Sequence, residues 1–275
     1  MPEGDTIFRT ARTLHRALAG QPVLRFTSVL AAPARVDADR PVQGRTVERV
    51  EARGKHVLIW FSGGLLLRTH MRMHGEWHIY RPGERWQRRR DDMRLVIETP
   101  SIHAVAFAVP VAELGPADQM LRAGPLAALG PDLLAPEADT TGAVARLATR
   151  GGLAIADALL DQSALAGIGN VYKSEVLFAA GIDPATDVAA LDGAALTRIV
   201  DLARRLLRAN VAEGRVDGGL SAAGARRTTG RLDPHARLWV YGRGGRPCRR
   251  CGTPIRRMTQ GPHARSTYWC PRCQR

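Results

Sequence analysis

The chain's four cysteines all fall within its last 28 residues, as Cys248-x2-Cys251 and Cys270-x2-Cys273, with 18 residues between the pairs. A segment this short cannot bury a core of its own, so the thiols dictate how it folds. Two such knuckles supply four thiolates for one tetrahedral zinc, in the manner of a ribbon-type finger. Two disulfides are the alternative, and a reducing interior argues against them. The intervening TPIRRMTQGPHARSTYW reads as two short strands about the Gln-Gly-Pro turn, with the metal supplying the folding energy. Arg256, Arg257 and Arg265 on this hairpin are placed for phosphate; a purely structural clip is the competing reading.

Charge points the same way. Forty basic residues against 26 acidic give +14 and a pI near 11.0, which implies a polyanionic partner. No apolar run reaches membrane-spanning length and the start lacks a signal-peptide pattern, so an intracellular protein is expected. Of the forty basic residues only Lys55 and Lys173 are lysine. Where arginine is the habitual cation, a lysine is a candidate for needing a compact amine. For Lys173, inside a helical pattern, chance retention is the reading adopted.

Apolar residues at Ile7, Ala11, Leu14 and Leu18 predict a helix over 4–19, starting almost at the terminus. Residues 22–112 read as strands, including VLRFTSVL, HVLIWF, LLLRTHM, EWHIY, RLVIET and HAVAFAV. GERWQRRRDD interrupts them as a charged loop, with Arg88, Arg89 and Arg90 read as solvated. Helical patterns follow near 117–134, 141–149, 153–164, 170–180 and 192–213, and 214–236 reads as a mobile Gly-rich loop. The expected architecture is α+β. It comprises an N-terminal antiparallel β-sandwich with flanking helices (1–115), a helical domain (116–237) and a C-terminal zinc-ribbon hairpin (238–275).

Three further stretches carry chemistry. Removal of Met1 would leave Pro2 as a terminal secondary amine beside the Glu3 carboxylate, at the positive end of the first helix; a frayed terminus is the bland alternative. Gly167-Ile168-Gly169-Asn170 makes a tight turn into a helix, so its backbone N–H groups and the Asn170 amide can face a phosphate. Close packing, or Asn170 as a simple helix cap, would explain it equally. In THMRMHGEW, Arg72, Met73 and His74 fall at a hairpin tip, where an exposed methionine can wedge into a base stack; a core Met73 is the alternative. His56 reads as an ordinary strand residue, and His70 and His74 are not expected to bind metal.

Taken in order, MPEG, RGKHVL, THMRMHG, LGPDLL with DQSALAGIGNVYKSEVLF, and CRRCGTPI…RSTYWCPRCQ resemble the formamidopyrimidine-DNA glycosylase/endonuclease VIII family over essentially the whole chain. MPEGDT is similar to the endonuclease VIII branch. The resemblance implies a bifunctional DNA glycosylase/AP lyase of base excision repair. Pro2 would be the nucleophile, Glu3 the acid/base, and Lys55 a phosphate-contacting lysine that assists the chemistry. It makes the helical domain a helix–two-turn–helix domain, with Asn170 and Arg265 as phosphate clamps. Arg72, Met73 and His74 would fill the void left by the extruded base, and the FAVPVAELG segment offers no clear second wedge. Cys248, Cys251, Cys270 and Cys273 would hold one structural zinc. The implied substrate is damaged double-stranded DNA carrying oxidised bases, pyrimidines foremost, cut by β,δ-elimination. A purine-directed member acting on 8-oxoguanine or formamidopyrimidine is the alternative, and a non-catalytic nucleic-acid-binding zinc protein the more distant one. No membrane association or small-molecule cofactor is implied, and the expected state is an intracellular bacterial monomer at the nucleoid. Thr6 departs from the family pattern, standing where members often carry a second carboxylate.

Overall fold

The computed structural model describes residues 2–212 and 226–275, so most of the Gly-rich loop expected over 214–236 lies outside the described residues. The chain divides into two compact units, one reaching from the N-terminus to Ala128 and the other beginning at Leu129 and including 226–275. Among the described residues no helix is long and apolar enough to cross a membrane.

In the first unit, helix α1 (Gly4–Leu18) leads into strand β1 (Arg25–Ser28), helix α2 (Ala31–Asp39) and strands β2 (Val47–Arg53), β3 (His56–Phe61), β4 (Leu65–His70), β5 (Glu76–Tyr80), β6 (Met93–Glu98), β7 (His103–Phe107) and β8 (Val111–Pro116). They form two four-stranded antiparallel sheets, ordered β1-β6-β7-β5 and β2-β3-β4-β8. Ile7, Leu14 and Leu18 of α1 join Val57, Ile59, Leu67, Trp77, Leu95 and Ile97 in one core, as the helical and two-residue periodicities require. His15 pins α1 to β2, its Nδ1 accepting from the Val50 N–H at 3.1 Å.

Residues 31–39 are helical rather than extended, a correction to the reading of 22–112 as strands throughout. Only Pro33 of this helix is buried, so apolar periodicity gave no sign of it. Strand β2 was not individually legible because its alternation breaks where the pairing register shifts between Val47 and Arg49. The arginine-rich loop is more than a solvated turn. Trp86 covers the outer sheet face, its ring 5.5 Å from that of Phe107, and Arg88 pairs with Glu76 at 2.9 Å.

The first unit ends in helices α3 (Ala117–Arg122) and α4 (Gly124–Ala127). The second contains α5 (Thr140–Ala148), α6 (Ile155–Ala158), α7 (Asn170–Ala180), α8 (Gly193–Ala209) and the hairpin β9 (Arg256–Gln260) with β10 (Arg265–Trp269). Two expected helices shrink. The 117–134 pattern resolves into α3 and α4 followed by irregular chain, and the 153–164 pattern into the single turn α6. Helices α5 and α8 start where expected, because Asp139 and Asp192 accept from the backbone N–H groups of Gly142 and Ala195.

Candidate active site

Glu3 is the N-cap of α1: its carbonyl accepts from the Thr6 and Ile7 N–H groups at 2.9 and 3.0 Å, while its side chain makes no capping bond. Glu3 and Asp5 are fully buried and Thr6 nearly so. Pro2 is half-buried immediately ahead of a fifteen-residue helix whose apolar face lies in the core. Pro2 and Glu3 are therefore held by the packing of α1 rather than frayed. At Thr6, the hydroxyl donates to Asp5 Oδ1 at 3.4 Å, and Asp5 pairs with Arg9 at 4.0 Å. Buried carboxylates thus stand at positions 3 and 5 of this turn.

Lys55 is the second residue of the two-residue turn joining β2 to β3, closed by the Arg53 and His56 pair. Gly54 enters it at φ 58, the left-handed backbone that a glycine-first hairpin turn requires. Next to it, Arg68 is 3% exposed, pairs with Glu113 on β8 and donates from Nη1 to His56 Nδ1 at 2.9 Å. A guanidinium cannot accept, so His56 is neutral with its proton on Nε2. Burial, then the neighbouring His70 and arginine charges, push His56 down to about 3, and burial with Arg72 and Lys55 pushes His70 down to about 4. This polar cluster had no sequence signal beyond single letters on adjacent strands.

Arg72, Met73 and His74 are all exposed at the tip between β4 and β5. Arg72 adopts φ 50, and its N–H is accepted by His70 Nδ1 at 3.0 Å. The Gly75 N–H returns to the Met71 carbonyl at 2.8 Å, and a Cβ on Gly75 would lie 2.6 Å from that oxygen. Met71 is the core residue of the pair and Met73 is 53% exposed, so the core reading of Met73 does not hold. In the FAVPVAELG segment, Phe107 and Val109 are buried in cores and no large apolar side chain is exposed.

In the second unit, Gly167 has φ 95 and Gly169 is the N-cap of α7. Gln162 braces the turn, donating to the Ile168 carbonyl at 3.0 Å and accepting from the Gly167 N–H at 3.1 Å. Asn170 is the first helical residue, not the cap, and its Oδ1 has no hydrogen-bond partner among the described residues. Arg265 opens β10, exposed and without an ion pair among the described residues.

The Sγ atoms of Cys248, Cys251, Cys270 and Cys273 lie within 4.8 Å of one another, and none forms a disulfide. Four thiolates about 2.3 Å from a tetrahedral zinc would be about 3.8 Å apart, so the donor set fits the metal. The four ligands leave no open position, which makes the zinc structural. Cys248 and Cys270 pack with Phe178, Val240 and Ile255, tying the knuckles to α7.

Sequence reasoning missed two residues of α7. Lys173, read as chance retention, is fully buried with Nζ donating to Thr267 Oγ1 at 2.8 Å. Glu175 is fully buried and accepts from the Trp239, Val240 and Tyr241 N–H groups, each at 2.8 Å, and from the Thr228 hydroxyl. The helical pattern concealed both, because α7 is enclosed nearly all round and its apolar residues show no single face.

Residues 1–109 match the family described as formamidopyrimidine-DNA glycosylase N-terminal domain, 129–219 its H2TH domain, and 245–275 the zinc finger found in FPG and IleRS. A Streptomyces coelicolor protein named "Probable endonuclease 8 2" is 42% identical over 100% of this chain and 94% of its own length. A Mycolicibacterium smegmatis protein named DNA-(apurinic or apyrimidinic site) lyase Nei2 is 37% identical over 100% and 99%. The fold is similar to that of Lactococcus lactis Fpg (MutM), solved with DNA containing N7-benzyl-Fapy-dG, at TM-score 0.82 and 24% identity over the whole of both chains.

Proposed function

Because the chain belongs to the formamidopyrimidine-DNA glycosylase/endonuclease VIII family, we propose that it excises oxidised bases, pyrimidines foremost, from double-stranded DNA and then cuts the strand. The observation that carries this reading is the start of α1: Pro2 stands at the helix N-terminus beside the buried Glu3, fixed by the core beneath. An α-amine titrates at about 7.7–8.0, so roughly a tenth to a sixth of it is neutral at pH 7, far more than of a lysine. The positive helix end favours that neutral form.

With Met1 removed, the Pro2 nitrogen attacks C1′ of an extruded nucleotide. The C1′–base bond breaks, the base leaves with a proton, and ring opening gives an iminium. Glu3 delivers the proton to the opened sugar oxygen. The iminium acidifies C2′; loss of that proton expels the 3′ phosphate, a second elimination expels the 5′ phosphate, and water releases Pro2. Lys55, on its tight turn, steadies a phosphate. Asn170 and Arg265 hold two more, and Arg72, Met73 and His74 occupy the space the nucleotide vacates. Zinc keeps the Arg265 hairpin folded. The working parts are the β-sandwich (1–115), the helix–two-turn–helix domain (116–237) and the zinc finger (238–275), acting as a monomer at the bacterial nucleoid.

Borohydride trapping tests the reading. The processed enzyme should become covalently joined to duplexes bearing an abasic site, thymine glycol, dihydrouracil or 5-hydroxycytosine, while Pro2→Gly, which keeps only a primary α-amine, should disrupt turnover and trap far more slowly. Absence of any adduct from correctly processed chain would sink the enzyme reading. Faster excision from an 8-oxoguanine duplex would replace the pyrimidine assignment with the purine one.

A further inference from the structure

Helix α7 and strand β10 meet through two consecutive pairs. Lys173 Nζ donates to Thr267 Oγ1 at 2.8 Å, and the next residue, Ser174, accepts from the Tyr268 N–H at 3.4 Å while donating to the Asn170 carbonyl at 3.1 Å. Lys173 and Thr267 are both fully buried. An ammonium taken wholly out of water is costly unless it is met by partners, so its presence calls for a reason.

The periodicities of the two elements supply one. Residues three apart share a helix face, so Lys173 lies under Asn170. Residues two apart share a strand face, so Thr267 lies beside Arg265. The buried bond therefore joins the faces that carry these two residues. The hairpin is seated tightly at its turn as well. Gly261, at φ 70, leaves room for Asp157 of α6, whose Oδ1 would be 2.3 Å from a Cβ there, and Gln260 donates to the Pro184 carbonyl at 3.1 Å. Burial raises the Asp157 carboxyl above its usual range, and the Lys173 ammonium opposes that shift.

We propose that Lys173, through Thr267, is a positioning residue that sets the register between helix α7 and strand β10 and so holds Asn170 and Arg265 at the spacing of two backbone phosphates. This rests on the reading of Asn170 and Arg265 as phosphate ligands. It also accounts for one of only two lysines in a chain with 38 arginines. The enclosed site takes a compact amine, and a planar guanidinium is larger and needs more partners.

The test uses the full zinc-loaded enzyme and a duplex carrying a tetrahydrofuran abasic analogue. Lys173→Met and Thr267→Val should each raise Kd about tenfold, with the double variant no weaker than either single one. Each should also lower the slope of log K against log salt by about one, as Arg265→Ala should, because one phosphate contact is lost. Thr267→Ser, which keeps the hydroxyl, should bind like the wild type. In turnover KM should rise while kcat stays within twofold, with one zinc per chain throughout. Wild-type Kd, multiplying effects in the double variant, an unchanged salt slope, or Thr267→Ser failing like Thr267→Val would each overturn the proposal. Should Lys173→Met not fold, the Thr267 pair decides. If Asn170→Ala and Arg265→Ala themselves bind normally, the phosphate-ligand reading falls and takes this proposal with it. If they weaken binding and Lys173→Met and Thr267→Val do not, this proposal alone falls.

Discussion

Arg68 donates to Nδ1 of His56 at 2.9 Å, a bond that only the neutral Nδ1 can accept and that adds to burial, the larger cause of the imidazole's neutrality in the folded protein. His70 packs edge-to-face against it, ring centroids 4.9 Å apart, with its own Nδ1 committed to the Arg72 N–H. An unfolded histidine takes up its proton near pH 6.5, whereas the folded chain protonates His56 at about 3 and His70 at about 4. Between these values the unfolded state binds more protons, so stability is fully present above about pH 6.5 and is lost as pH falls toward 4 and 3. From pH 6.5 to 5, His56 alone should remove about 2 kcal/mol. The urea midpoint of the N-terminal unit should follow this slope, and His56→Gln, an acceptor that does not titrate, should flatten it. An equal slope in the variant would show that His56 is not the group responsible.

Met73 is exposed and contributes nothing to the core described above. Met73→Ala should leave unfolding free energy within about 0.5 kcal/mol of wild type. Its cost should fall on extrusion, slowing excision from duplex DNA about tenfold while leaving a single-stranded lesion nearly unaffected. Equal slowing on both substrates would place Met73 elsewhere in the reaction.

Glu175 offers both oxygens to backbone N–H groups of 239–241, a task no amide can duplicate. In Glu175→Gln one acceptor becomes a donor facing donors, leaving buried N–H groups without partners. The expected loss is about 2–4 kcal/mol, confined to the C-terminal half. Trp239 fluorescence during urea unfolding reads it out; an unaltered midpoint would refute the accounting.

Zinc removal separates the two units. A strong chelator should release one zinc per chain, unfold the 256–269 hairpin and weaken DNA binding by tenfold or more as Arg265 is lost. The β-sandwich, whose core contains none of the cysteines, should keep its own melting transition. Loss of that transition on chelation would contradict the separation.

Legibility in the sequence tracked how local each determinant is. The α1 periodicity, most of the strands and the C-x2-C spacing are local signals, and the structure follows them. Helix α2 was hidden because only Pro33 is buried, and β2 because a register shift breaks its alternation. The candidate site divides in the same way. Pro2, Glu3, Lys55 and the cysteines stand out by position or residue type. The Arg68, His56 and Glu113 cluster, the four donors converging on Glu175 and the Lys173 bond join residues far apart in sequence, and a single helix or strand pattern carries no trace of them.

Helix α7 leaves only Asn170 and Ala179 partly exposed, and three consecutive residues in its middle, Lys173, Ser174 and Glu175, are polar and buried. A segment so committed has almost no neutral substitutions. Its first residue meets substrate in the proposed reading, and the next turn holds the zinc module, so drift in one function disturbs the other. Relatives that acquire new lesion preferences should therefore diverge at surfaces like the 72–74 tip, where side chains face solvent, while this helix changes slowest.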